Sequence, residues 1–220
     1  MDLRVSGKVC SIELQHAVMA GYTGRDQKAV RQHVDELRKL GVPAPEQIPA
    51  FYPVSPYLVR TTEVVPVVGA HTSGEGEVVL IVTGDQVLIG VGSDHTDREV
   101  EKLSVPKSKQ LCAKPISADF WPLDEVISYW DELELLSWVA EGADRSLYQR
   151  GFLAELLQPD ALLGLVGREY RNKLQSAAIF GGTLPLVGGE FRYGSGFAVE
   201  LRDPRRQRNL LCRYAVQTLG

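Results

Sequence analysis

The sequence predicts a mixed α+β fold that is predominantly β. Three observations carry this reading. Two β-branched apolar runs, Val78 to Val82 and Val87 to Val91, flank a Gly84-Asp85 turn. Only one long segment, Asp26 to Leu40, has a clear helical period. The chain from Thr183 onward is glycine-rich and strand-like.

In chain order, Val9 to Met19 is apolar enough for a strand, and Gly21-Tyr22-Thr23-Gly24 interrupts it. The following helix places Ala29, Val30, His33, Val34, Leu37 and Leu40 on one stripe, with Asp26 as its N-cap and Gly41 as its stop. Residues 43–57 carry five prolines and read as an extended crossing with no regular element. Strand-like sequence resumes at Leu58 to Val68 and leads into the hairpin. A polar stretch, His95 to Gln110, passes into an irregular region around Pro115 and Pro122. Leu133 to Val139 reads as a strand, and Phe152 to Leu157 and Asp160 to Leu174 as helices. Near the C-terminus, Phe197 to Leu201 and Leu210 to Gln217 read as strands around an arginine-rich tip. At 220 residues the chain suits one domain, residues 1–220, with 1–55 as a candidate N-terminal arm or lid.

The hairpin also carries the chemistry. Its two-residue loop makes Thr83 face Gln86, so Glu75 falls opposite Asp94, and alternation puts Glu77 on the face of Glu75. Three converging carboxylates repel one another unless a cation neutralises them, and an all-oxygen set suits Mg²⁺ or Mn²⁺, with Ca²⁺ as the alternative. The competing reading is that one or more of these acids points to solvent.

Composition narrows the remaining classes. A formal charge of −4 gives no general basic footprint, and Arg202, Arg205, Arg206 and Arg208 read as a solvated hairpin tip, so nucleic acid is not an expected partner. No apolar run reaches the ~20 residues that span a bilayer, and no secretory leader is visible at the N-terminus, so a cytoplasmic protein without membrane association is expected. Three cysteines, far apart and without CxxC spacing, argue against structural zinc or a disulfide framework.

These motifs together resemble the fumarylacetoacetate hydrolase superfamily, in a bacterial, DUF2848-like branch. Glu75-Gly76-Glu77 resembles the family's E-x-E ligand pair, and Ser93 to Glu99 its N-D-x-(S/T)-A-R-D, whose aspartate is the third ligand. Ser108-Lys109-Gln110 resembles its G-K-S, Leu135 to Gln149 its strand–NG–Q stretch, and Gly181-Gly182-Thr183 its T-G-T. His33 and Glu36 have the H-x-x-E spacing of the base pair in hydrolytic members. Departures are Asp97 and Glu99 around Arg98, Ser108 in place of glycine, and a short interval from Glu77 to Asp94.

The resemblance implies a mixed β-roll with a few flanking helices, one bound divalent cation and a homodimer. It implies a hydrolase that cleaves a carbon–carbon bond of a 1,3-dicarbonyl or acylpyruvate-type 2-oxo acid through a metal-stabilised enolate. Glu75, Glu77 and Asp94 would hold the metal, and His33, oriented by Glu36, would activate water. Lys109 would stabilise charge, and Thr183, Lys109 and Tyr22 would contact the substrate. A lyase, either a 2-oxo acid decarboxylase or a hydratase/dehydratase, and a non-catalytic cation-binding domain are the alternatives. By their own residues, His33 also fits an ordinary helix position and Tyr22 a core one. Lys107 and Lys114 are expected to be solvated, and Arg98 and Glu99 to form an ion pair.

Overall fold

The computed structural model describes residues 1–39, 41–170 and 174–219, without the side chain of His33. Strands dominate, and helices are few, as expected. β1 (Asp2–Val5) and β2 (Lys8–Ser11) form a hairpin ahead of β3 (His16–Gly21), so the strand expected from Val9 to Met19 is divided between β2 and β3, and β1 precedes it. Helix α1 (Gln27–Lys39) begins where Asp26 Oδ1 accepts the backbone N–H of Lys28 at 2.8 Å and of Ala29 at 3.2 Å. The predicted stripe is correct in direction: Val30 is buried and Val34 and Leu37 are half-buried, while Ala29 is exposed.

β4 (Ala50–Val54) corrects the reading of residues 43–57, because it is a regular strand inside the proline-rich segment. It lies at the edge of its sheet, pairing Pro53 with Val18, and an edge strand tolerates a residue that cannot donate. β5 (Val59–Arg60), β6 (Val64–Val68) and β7 (Thr72–Ser73) lead to β8 (Gly76–Thr83) and β9 (Gln86–Ser93). Their register pairs Thr83 with Gln86 and Gly76 with Ser93, as the turn chemistry predicts.

The polar stretch that follows holds β10 (Thr96–Asp97) and two short helices, α2 (Arg98–Glu101) and α3 (Val105–Leu111). β11 (Lys114–Pro115), β12 (Asp119–Pro122), β13 (Glu134–Glu141) and β14 (Asp144–Phe152) come next. The helix expected from Phe152 to Leu157 is only a 3-10 turn at Leu153–Glu155, and the next is α4 (Pro159–Glu169), started by proline in its first turn. β15 (Ala177–Thr183), β16 (Gly196–Asp203) and β17 (Arg208–Leu219) complete the chain.

The larger sheet has the order β2-β1-β12-β9-β8-β15-β3-β4, and the smaller one β14-β13-β16-β17-β6. Both faces of the larger sheet are covered, which is why β8 reads as a continuous apolar run. Val78 and Leu80 join the core shared with Leu135, Val199 and Leu201 of the smaller sheet. Val79 and Ile81 join a second core with Leu3, Met19, Val54 and Phe120. That second core runs across one face of the larger sheet, from Leu3 on β1 to Val54 on β4. Each fully buried aliphatic side chain here contributes about 1.5–3 kcal/mol. β8 and β9 are thereby fixed at the centre of the sheet, and the acids at their ends inherit that rigidity. No helix among the described residues is long and apolar enough to cross a membrane.

Candidate metal centre

Glu75 and Asp94 face one another just beyond the ends of β8 and β9, where Asp94 donates its N–H to the Glu75 carbonyl at 3.0 Å. Carboxylate oxygens of Glu75, Glu77 and Asp94 all lie within 4.8 Å of one another. Glu77 and Asp94 are buried and Glu75 is half-buried, so the solvent-facing alternative does not hold for the first two.

Each acid is held differently. Glu77 Oε2 accepts the Gly182 N–H at 2.8 Å, and no described cation pairs with Glu77. Burial, and then the charges of Asp94 and Glu75, push its carboxyl well above the usual carboxylate range. Asp94 is the opposite case. Burial alone would raise its pKa, but the ammonium groups of Lys109 and Lys114 outweigh that and hold it below the usual range. Lys109 donates to Asp94 Oδ2 and stands 3.8 Å from Glu75 Oε2. Lys114 lies 3.0 Å from Asp94 Oδ1 and donates to the His95 carbonyl. Glu75 Oε1 lies 3.4 Å from Nη2 of Arg98.

Lys109 reaches the site from α3, whose inward face also buries Val105 and Ser108, while Lys107 is exposed as expected. Lys114 is a correction: it is buried, not solvated. The segment after α3 runs antiparallel to the end of β9, with Ile116 bridged to Gly92. Continuing that register sets Lys114 opposite Asp94. Gly92 permits the approach, since a Cβ there would lie 2.6 Å from the Pro115 carbonyl.

Arg98 is the second correction. It pairs with Glu101 at 2.9 Å and donates to Ser73 Oγ at 2.7 Å, while Glu99 pairs with His71 at 3.0 Å. Residues three apart share a helix face and adjacent ones do not, which decides the choice of partner. Asp97 caps α2 by accepting the N–H groups of Glu99 and Val100. The Arg98 guanidinium stacks 4.1 Å from the Phe191 ring centroid, and its Nη2 is buried without a hydrogen bond.

A second layer braces the ligands. Gln149 Oε1 accepts the Gly76 N–H at 2.8 Å and the Ser137 hydroxyl at 2.6 Å, and its amide donates to Thr183 Oγ1 and to the Leu184 carbonyl. The residue between the two glutamates is thus clamped. Thr183 Oγ1 lies 3.2 Å from the Gly76 carbonyl, between the two glutamates. His95 Nδ1 is 2.9 Å from the Tyr214 hydroxyl and Nε2 is 2.9 Å from Thr72 Oγ1. The Tyr214 hydroxyl is also 2.8 Å from Ser93 Oγ, so both ring nitrogens of His95 have hydroxyl partners, one of which is shared with Ser93. Burial, with help from Lys114 and Arg98, lowers the His95 pKa to about 3.

Tyr22 stands beside the cluster in a left-handed conformation, φ 59, and is half-buried. Burial, then the neighbouring Tyr52, Glu75 and Glu101, raise its phenol well above the ordinary value, so it remains protonated. Tyr52 joins it, its ring centroid 5.7 Å from Lys109 Nζ. Glu36 is exposed on α1 and accepts from Gln32 at 2.9 Å, and the His33 side chain lies outside the described residues. Sequence reasoning missed Lys114, Glu101 and Tyr52. The antiparallel register of the Lys114 segment with β9 is a tertiary signal, invisible in a run of three lysines.

The residues present fit a divalent cation. The donor set is all oxygen, an ammonium already sits between two of the acids, and Glu77 is a buried carboxylate with no cation of its own.

A family model described as "Protein of unknown function (DUF2848)" matches residues 20–214. The chain belongs to that family. Its fold is the fumarylacetoacetate hydrolase fold. A protein of Oleispira antarctica, assigned as a fumarylacetoacetate isomerase/hydrolase, superposes with TM-score 0.65 at 18% identity, covering 98% of this chain and 99% of that one. Cg1458 with an inhibitor gives TM-score 0.67 at 15% identity, over 96% and 80% of the two chains. A 2-keto-3-deoxy-D-arabinonate dehydratase complexed with magnesium and 2,5-dioxopentanoate gives 0.61 at 14% identity, over 93% and 73%. No curated protein matches the DUF2848 chain in sequence.

Proposed function

We propose that this DUF2848 protein is a divalent-metal-dependent hydrolase that cleaves a carbon–carbon bond in an acylpyruvate-type 2-oxo acid. The observation that carries the reading is Glu77: a buried carboxylate, lacking a described cation, directed at the carboxylates of Glu75 and Asp94. A divalent ion held by these three residues supplies Lewis acidity for negative charge on a chelating oxo acid. The magnesium and oxo-acid complex of the dehydratase with this fold supports that choice of ligand class.

The chain's own groups take the remaining roles. Lys109 keeps a positive charge beside the reacting oxygen atoms, because Asp94, Glu75 and Glu101 outweigh the burial that opposes its protonation. Thr183, beside the Gly182 N–H, binds the substrate carboxylate. Tyr22 and Tyr52 form a wall of protonated phenols that can donate to substrate oxygens. His33, oriented by Glu36 on α1, takes a proton from water as it adds to the distal carbonyl. The carbon–carbon bond then breaks, the oxo-acid fragment keeps the electron pair and takes up a proton, and the other fragment leaves as a carboxylic acid.

A lyase reading has its own support: Lys109, Tyr22 and Tyr52 place proton carriers at the acids without any residue from α1. Incubation with acylpyruvates and with 4-hydroxy-2-oxo acids, each with Mg²⁺, separates the two. Hydrolysis of an acylpyruvate that is lost in both Glu77→Gln and His33→Ala supports the first reading. Turnover of the hydroxy acid that survives His33→Ala supports the second, and no turnover of either class overturns both.

A further inference from the structure

Four carboxylates, Glu75, Glu77, Asp94 and Glu101, and three cations, Arg98, Lys109 and Lys114, make up the charged cluster. Fully ionised, the cluster carries one negative charge, and a divalent ion would turn that into one positive charge. An uncompensated charge in a buried site is costly, whichever its sign. A monoanionic substrate bound to the ion would return the cluster to neutrality.

Lys114 is the group that sets this balance. Lys109 is 7% exposed, and its nitrogen donates to Asp94 Oδ2 beside the Tyr52 ring. Lys114 lies deeper: it is 0% exposed, with Nζ held by Asp94 Oδ1 at 3.0 Å and by the His95 carbonyl. Burial and the neighbouring Lys109 lower its pKa and Asp94 opposes them, so the contact that fixes its charge is with Asp94, on the opposite oxygen of the same carboxylate that Lys109 engages.

We propose that Lys114 acts through Asp94 as a fixed internal cation, so that the site holds its divalent ion weakly alone and firmly only with an anionic chelating acid. The inference rests on the metal reading above and extends it to the order and linkage of binding. Linkage is reciprocal: the acid raises affinity for the ion by the factor by which the ion raises affinity for the acid.

Calorimetric titration of metal-stripped protein with Mg²⁺ tests it, alone and with saturating oxamate or oxamide. The two ligands share shape and chelating oxygens, but only oxamate carries a charge. Oxamate is expected to tighten Mg²⁺ binding at least about tenfold, within the usual range of coupling, and oxamide to leave it within about threefold. Lys114→Met should bind Mg²⁺ alone more tightly than wild type and lose most of the oxamate effect, whereas Lys114→Arg should keep it. Equal Mg²⁺ affinity with and without oxamate, or weaker Mg²⁺ binding in Lys114→Met, overturns the proposal but leaves the metal site standing. No Mg²⁺ binding in any mixture overturns the metal reading itself, and this inference with it. The comparison of oxamate with oxamide in wild type needs no variant to fold.

Discussion

The backbone N–H of Gly182 donates to Oε2 of Glu77 at 2.8 Å, and Gly182 does so from a conformation, φ +90, that other residues rarely adopt. One contact thus ties β15 to an acid on β8. A Cβ at Gly182 would lie 2.0 Å from Thr23 Oγ1 and 3.2 Å from the Ala20 carbonyl. Gly182→Ala should therefore lower stability by roughly 2–4 kcal/mol through strain and overpacking. It should also weaken Mg²⁺ binding in the presence of oxamate. Urea unfolding and calorimetry check the two effects; wild-type values in both would refute this role for Gly182.

Gln149 braces the same place from the smaller sheet. Replacing it with leucine strands the Gly76 N–H and the Ser137 hydroxyl in the interior, at about 1–3 kcal/mol for each unsatisfied group. The variant should unfold at lower urea and lose metal affinity, since Gly76 separates Glu75 from Glu77. A fold that weakens while metal affinity is unchanged would show that Gln149 serves packing alone.

Asp203 predicts an acid limb of stability far from the site. It accepts the N–H groups of Arg205 and Arg206, the Tyr129 hydroxyl and Nε of Arg208, all at 3.0–3.1 Å. Burial opposes its ionisation, but the Arg206 N–H, Arg208 and Tyr129 outweigh it and lower its pKa. A depressed carboxylate stabilises the fold above its unfolded pKa of about 3.9, and that contribution disappears as pH falls through the folded value. Asp203→Asn should lose about 1–3 kcal/mol near neutrality and show a flatter decline toward acid than wild type. Urea midpoints measured from pH 7 to pH 3 decide this, and parallel profiles would refute it.

The hairpin was legible because its register follows from local chemistry: Gly84-Asp85 sets the turn, the turn sets Glu75 against Asp94, and alternation adds Glu77. Asp26 as a cap was legible for the same reason. What the sequence concealed depends on neighbours distant in the chain. Pro53 can sit in β4 only because that strand is an edge, and Lys114 is buried only because its segment aligns with β9. The three lysines of one short run differ only in where the tertiary fold sends them: Lys107 to solvent, Lys109 and Lys114 to Asp94.

The central claim, that Glu75, Glu77 and Asp94 together hold one divalent cation, is tested most directly by titrating metal-stripped protein with Mn²⁺ in saturating oxamate and following free Mn²⁺ by electron paramagnetic resonance. Wild type should bind one Mn²⁺ per chain, and Glu77→Gln, which removes a charge but little volume, should lose at least about 100-fold in affinity, the upper end of what a supporting residue alone costs. Binding of Mn²⁺ by Glu77→Gln with wild-type affinity and stoichiometry would contradict it.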